Sequence, residues 1–282
     1  MEFGVMMFPA DFAMRPDDLA REVEARGFES LWFPEHTHIP TSRKSPWPGG
    51  AELPKEYSHT YDLFVGLSTA AAVTKTLKIA SGICLVVERD PIILAKEVAS
   101  LDTLSGGRFL FGIGGGWNAE EMEHHGTDFR RRWKVLRERV EAMKAIWGNE
   151  VAEYHGETVN FEPIWSWPKP VQKPHPPIYL GGHGARALAR VVRYCDGWLP
   201  IPGRAGQLLE GVAQLRDLAT EAGRDPGSIA VSVFDAPADA RTLATYVEAG
   251  LTRAIFGVPA ASGNEVLPRL DRLQRLVADV RG

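Results

Sequence analysis

Glu35, His36 and His38 stand within one run, Trp32-Phe33-Pro34-Glu35-His36-Thr37-His38, at the end of an apolar stretch. A carboxylate beside an imidazole is equipped to move a proton, because histidine changes charge near neutral pH and a neighbouring acid orients it or stabilises that charge. His36 and Glu35 are therefore the candidate catalytic residues. Alternating histidines can also bind zinc, so a metal-dependent barrel hydrolase is the rival reading, but such a site needs ligands from several strand ends. His183 offers one, whereas Trp198-Leu199-Pro200 and Ile255-Phe256-Gly257 offer none. No metal is expected.

Three glycine-bearing segments point to a ligand with a flat ring and an anion. Gly112-Ile113-Gly114-Gly115-Gly116-Trp117 has more glycines than a tight turn requires, and glycine lets a planar ring or a phosphate come close to the backbone. Its spacing is not that of the dinucleotide fingerprint, and it follows the fourth strand and not the first. Leu180-Gly181-Gly182-His183-Gly184-Ala185-Arg186 opens a helix, where bare amides make an anion site. Arg204 can offer a guanidinium to the same anion. Gly82, just before Ile83 and Cys84, sits late in a strand, where glycine marks a bulge or a close ligand.

Residues so scattered must be gathered by a scaffold that brings strand ends together. Eight apolar runs read as strands, at residues 3–8, 30–34, 77–83, 108–113, 178–180, 197–200, 229–234 and 253–257. Helical patterns separate them: Pro16-Asp17-Asp18 opens one that Gly27 closes, and Asp90-Pro91 opens one that ends before Gly106-Gly107. The longest is predicted from Asn118 or Phe129 to Trp147, with Trp133, Leu136, Val140, Met143 and Trp147 as core on one side. Strict alternation predicts a parallel sheet with right-handed crossovers, and eight units predict closure into a (β/α)8 TIM barrel whose site lies on the loops after the strands. Two insertions break the rhythm, residues 36–60 and 151–177, and loops of this length commonly act as lids. The second holds a hairpin at 153–161, turning at Gly156 and expected to pack over the barrel. Trp47, Tyr57, Tyr61, Trp165 and Trp167 in these loops point to an apolar or aromatic pocket.

The 282 residues, 44% hydrophobic and 24% charged, suffice for one such barrel, so residues 1–282 are expected to form a single domain. A formal charge of -4 supplies no basic stripe for nucleic acid. The first residues show no basic leader, and the longest nearly apolar stretch, residues 63–73, falls short of the roughly 20 needed to cross a bilayer. Cys84 and Cys195 make no disulfide framework. The expectation is a cytoplasmic protein acting on a small molecule, with neither nucleic acid nor membrane as partner.

The chain resembles the luciferase-like monooxygenase family over nearly its whole length. The resemblance is carried by Asp90-Pro91-Ile92-Ile93-Leu94-Ala95-Lys96, by Leu101-Asp102-Thr103-Leu104-Ser105-Gly106-Gly107-Arg108 leading to the Gly112 to Trp117 turn, by Pro168-Lys169-Pro170-Val171-Gln172 with Pro174-His175-Pro176-Pro177-Ile178, and by Gly181-Gly182 with Asp196-Gly197-Trp198. The long loop after Glu35-His36 and the Gly-Gly-Gly-Trp turn look most like the branch that uses the deazaflavin coenzyme F420, with FMN as the alternative. The resemblance implies an oxidoreductase that transfers a hydride between F420 and a small organic substrate; an FMN-dependent monooxygenase or a non-catalytic cofactor-binding protein are the other readings. It implies that Glu35 and His36 lie near the reactive ring, and that a non-proline cis peptide at Gly82-Ile83, with Cys84 adjoining, lies beneath it. Gly114, Gly115, Gly116 and Trp117 would flank the ring, and Gly181, Gly182, His183, Gly184 and Arg204 would hold the phosphate. It also implies a homodimer. Trp117 stands where sugar-phosphate-oxidising relatives place a carboxylate, which argues against glucose 6-phosphate as substrate.

Overall fold

The computed structural model describes residues 1–203 and 205–282. Arg204 lies outside the described residues. The chain runs β1 (Glu2–Met6), α1 (Pro16–Ala25), β2 (Ser30–Phe33), α2 (Leu63–Ala72), β3 (Lys78–Cys84), α3 (Pro91–Leu104), β4 (Phe109–Ile113), α4 (Ala119–His124), α5 (Arg132–Gly148), β5 (Val151–His155), β6 (Asn160–Trp165), β7 (Ile178–Gly181), α6 (Ala185–Tyr194), β8 (Gly197–Leu199), α7 (Ala205–Glu221), β9 (Ala230–Phe234), α8 (Ala240–Glu248), β10 (Arg253–Gly257) and α9 (Gly263–Arg281). Eight parallel strands close in the order β1-β10-β9-β8-β7-β4-β3-β2, a (β/α)8 barrel as the alternation predicts. No helix among the described residues is long and apolar enough to cross a membrane.

Local signals explain where the elements begin. The Asp90 carboxylate accepts the amides of Ile92 and Ile93, each at 2.9 Å, while Pro91 brings a helical φ to the first turn of α3. Asp62 caps α2 in the same way, 3.0 Å from the Val65 nitrogen. The strands are buried on both sides, so each feeds two apolar layers. Trp32, Ala80, Leu110, Tyr179, Leu199, Phe234 and Ile255 fill the barrel interior. Leu31, Phe33, Ile79, Phe109, Phe111 and Leu180 face the helices, joined there by residues such as Leu94, Val98 and Leu136.

The foot of the barrel is closed by charge. Arg253 is 3% exposed and donates to Glu29 at 2.6 and 2.7 Å and to the Ser232 hydroxyl at 2.9 Å. Its guanidinium also lies 5.8 Å from the Trp32 ring and 5.9 Å from that of Tyr179. Burial works against ionisation of Glu29, but Arg253 outweighs it and holds the carboxyl down at about 2.

Two predicted elements differ. The helix expected from Asn118 or Phe129 to Trp147 is two helices, because Gly126 takes φ 79° after α4 and α5 starts anew at Arg132. The hairpin of β5 and β6 lies against α5 and not over the barrel mouth: Ala152 is buried there, and Glu138 of α5 accepts the Thr158 amide at 2.6 Å. Trp165 and Trp167 are accordingly exposed. The first insertion does cover the mouth. It is fastened to α4 by Glu120, which accepts from the Ser42 hydroxyl at 3.1 Å and the Lys44 amide at 2.8 Å, and its Thr60 hydroxyl donates to the His36 carbonyl at 2.8 Å.

Candidate active site

The strand ends enclose a cavity of about 430 Å3, within the usual range for a small-molecule site. Gly82 and Ile83 come from β3, the Gly114 to Trp117 turn follows β4, Gly181 ends β7 with Gly182 directly after it, and Phe234 comes from β9. The Gly82–Ile83 peptide is cis. The close fit of β3 to β4 explains one glycine directly: a Cβ on Gly112 would stand 2.0 Å from the Ser81 carbonyl oxygen. Above the apolar floor sit Glu35, His36, Tyr57, Trp117 and Asp235.

His36 is held firmly. Its Nδ1 lies 2.8 Å from Glu121 Oε2, and the other carboxylate oxygen accepts the Thr37 amide at 3.1 Å. The two side chains are 7% and 1% exposed. A carboxylate only accepts, so the proton between them belongs on Nδ1, and in the neutral ring the lone pair falls on Nε2. Trp117 meets the imidazole edge-on at 5.7 Å, and Tyr57 tilts against it at 5.2 Å.

Glu35, expected to orient or charge-stabilise His36, has another task. One oxygen accepts the Leu85 amide at 2.6 Å, and the other accepts Arg89 Nε at 2.8 Å and Nη2 at 2.5 Å. Both oxygens are thus committed to fixing the segment that follows β3, and the acid beside His36 is Glu121. Cys84 is a second correction: it is fully buried in the layer between sheet and helices and does not line the cavity, because the side chain after Ile83 points to the other side of the strand. Burial pushes its thiol well above the ordinary range.

Of the other residues proposed for cofactor contact, Gly82, Ile83, Gly114, Gly115, Gly116, Trp117, Gly181, Gly182 and His183 all line the cavity. Gly184 faces an adjoining cavity of about 590 Å3 that shares His183 and Ile201 with the first. The assignment of Arg204 falls outside the described residues. At the start of α6, Gly182 and Gly184 take φ of 135° and 79°, the Ala187 amide already donates to the Gly184 carbonyl at 2.9 Å, and no side chain among the described residues caps the helix, so the amides of Ala185 and Arg186 stay available to an anion.

Glu121, Asp235 and Trp133 escaped the sequence reading. Glu121 stands three residues after Asn118, whose side chain accepts its amide at 3.3 Å, so the pairing of a cap residue with a glutamate marked the start of α4. Asp235 follows directly on β9 with φ 56°, and burial raises its carboxyl above the usual range. Its place at a strand exit was the available signal. Trp133, read as core, lines the cavity and packs where a Cβ on Gly115 would lie. His38, His124 and His125 are engaged with one another and with the Thr37 hydroxyl at 2.7–2.9 Å, and among the described residues no His, Cys, Asp and Glu cluster is arranged to hold a metal ion.

Comparison with known proteins gives a consistent picture. The uncharacterized protein Rv0953c of Mycobacterium tuberculosis is 41% identical over 284 residues, 99% of each chain. Among solved structures, the monooxygenase RslO1 from Streptomyces bottropensis matches over 100% of both chains with a TM-score of 0.80 and 18% identity. An F420-dependent secondary alcohol dehydrogenase in complex with an F420-acetone adduct matches over 100% of both chains, with a TM-score of 0.79 and 18% identity. At that identity the two structures establish a shared fold. The family model for luciferase-like monooxygenases matches residues 11–271, and with these relatives the chain belongs to that family of oxidoreductases and monooxygenases.

Proposed function

We propose that this chain transfers a hydride between coenzyme F420 and a small organic substrate, with His36 handling the accompanying proton. The observation that carries this reading is the His36–Glu121 pair, set at the edge of an apolar cavity of ring-binding size. The residues present fit the cofactor. Ile83, Leu199 and Phe234 offer an apolar surface to a planar ring, the Gly114 to Gly116 turn leaves backbone bare beside it, and the uncapped start of α6 suits the phosphate. The deazaflavin supplies the ring carbon that accepts or donates hydride when bound.

The protein's part is orientation and proton transfer. Nε2 of His36 accepts the hydroxyl proton of an alcohol as hydride leaves the carbinol carbon, and returns it in the reverse direction. Glu121 fixes the ring and stabilises the imidazolium that forms. Trp117 and Tyr57 shield the reacting atoms from water. A homodimer belongs to the proposal, since Val65 of α2 and Ile93 and Leu104 of α3 are exposed apolar side chains on the barrel wall; light scattering tests it.

Fold likeness to an F420-dependent secondary alcohol dehydrogenase supports the choice of cofactor, and the comparable likeness to RslO1, a monooxygenase, keeps monooxygenation, with FMN as the alternative cofactor, as the second reading. Titration of the apoprotein with F420 and with FMN, read by fluorescence quenching, separates them: tighter binding of F420 is expected, and exclusive binding of FMN would sink the first reading. A panel of small alcohols should then reduce the bound F420. Replacing His36→Ala should cut turnover by roughly 10²- to 10⁴-fold while cofactor binding is kept.

A further inference from the structure

A groove of about 520 Å3 lies on the outer wall between α5 and α6, and Trp133 is a wall of both this groove and the mouth cavity. Among the described residues its lining is basic and holds no carboxylate: Lys134 and Arg137 come from α5, and Arg186, Arg190 and Arg193 from α6. The three α6 arginines recur at steps of four and three, which aligns them along one side of the helix. The row begins in the first helical turn, directly after Gly182 and Gly184. It therefore continues outward from the amides assigned above to the phosphate.

The α5 cations already lean on acids, Lys134 on Glu138 and Glu157, and Arg137 on Glu138 and Glu141. Arg186, Arg190 and Arg193 make no ion pair among the described residues; Arg190 donates to the Arg186 carbonyl at 3.1 Å and stacks 4.1 Å from the Trp133 centroid. Burial, and then the charge of Arg186, hold the Arg190 guanidinium below its ordinary value. Burial and the charge of Arg190 do the same to Arg132. Like charges gathered this closely repel one another, and an anion laid among them relieves that repulsion.

We propose that this groove binds the carboxylates of an oligoglutamyl tail, carried by the cofactor beyond its phosphate. The inference rests on the F420 reading, because F420 bears γ-linked glutamates past the phosphate whereas FMN ends there. Guanidinium groups in a row suit successive carboxylates, which they can grip with paired N–H donors. Lysine or a lone helix terminus lacks that repeat.

The test is equilibrium titration of the purified protein with F420 bearing several glutamyl residues and with the same deazaflavin phosphate bearing none. At low salt the tailed form should bind roughly tenfold tighter, and the difference should vanish at about 0.5 M salt as exposed charges are screened. The double variant Arg186→Gln, Arg193→Gln, which leaves the Trp133 stack in place, should bring the tailed form to the affinity of the tailless one without changing the latter. Equal affinity of both forms at low salt, or an equal loss of both in the variant, overturns the inference and leaves the cofactor reading intact. Binding of neither form overturns both together.

Discussion

Glu121 ties the imidazole of His36 to one tautomer, and its value to the reaction can be read by an isosteric change. In Glu121→Gln the amide can present N–H to Nδ1, which moves the ring proton to Nε2 and removes the lone pair from the cavity. Turnover should fall by roughly 10²- to 10⁴-fold and its pH profile should move, while F420 binding stays close to that of the parent; an unmoved profile would show Glu121 to be a packing residue only. Glu88 offers a prediction on stability. Both its carboxyl oxygens are buried without a hydrogen-bond partner among the described residues, and burial, with Glu121 and Glu35 adding repulsion against the pull of Arg89 and Arg139, pushes it up to about 9. His125 stands 3.9 Å away, and its own imidazole is pushed down, first by burial, so the two face each other neutral. Because the folded-state value exceeds the unfolded value of 4.5, the cost of keeping Glu88 protonated is nil below about pH 4.5 and grows as pH rises toward about 9. Glu88→Gln should therefore melt above the parent by a margin that widens from pH 5 to pH 8, as differential scanning fluorimetry would show. Of the site, the place of His36 on the cavity wall was legible because imidazole beside a strand end is a small set of candidates. Glu121 was not, since the sequence shows a capping glutamate and cannot say that its carboxylate turns back across 85 positions to meet that imidazole.

Helices and strands were legible nearly throughout, because the barrel strands are short, mainly apolar runs and several helices open with a capping acid such as Asp62 or Asp90. What failed was direction. The alternation at 153–161 does form a hairpin, but the acids that receive it, Glu138 and Glu141, lie on α5, and nothing local distinguishes packing on a helix from packing over the mouth. Trp133 likewise shares the helical spacing of buried Leu136 and Val140, yet it stands in the first turn of α5, level with the rim. The approach of β3 and β4 yields a sharp test. A methyl group at residue 112 would meet the Ser81 carbonyl oxygen at 2.0 Å, a backbone atom that cannot swing aside, where the register between the strands also shifts. Gly112→Ala should lower the unfolding free energy by about 1–3 kcal/mol or more, measured by urea denaturation. A change below about 0.5 kcal/mol would mean that the strands stand further apart.

The barrel as one body is stabilised by opposite means at its ends: apolar rings fill its waist, and the Arg253–Glu29 pair locks its foot. Glu29 has a folded-state value of about 2 against 4.5 unfolded, so its contribution is fully present above about pH 4.5 and is lost as pH falls through about 2. The difference corresponds to about 3 kcal/mol. In urea titrations at a series of pH values, the gap between the parent and Glu29→Gln should shrink between pH 5 and pH 2; a constant gap would assign the stability to shape and not to charge. The closed cylinder itself was legible from eight strands in alternation, whereas the plug was not, since Glu29 and Arg253 lie 224 positions apart. That plug makes the site a cup with one lip. Whatever settles deepest must arrive first and depart last, so on the proposed reading, with the coenzyme ring on the apolar floor beneath His36, the coenzyme should load ahead of the alcohol and the carbonyl product should leave before it. Initial-rate patterns ought to show compulsory order, with a dead-end alcohol analogue trapping the loaded cup and slowing the coenzyme's escape.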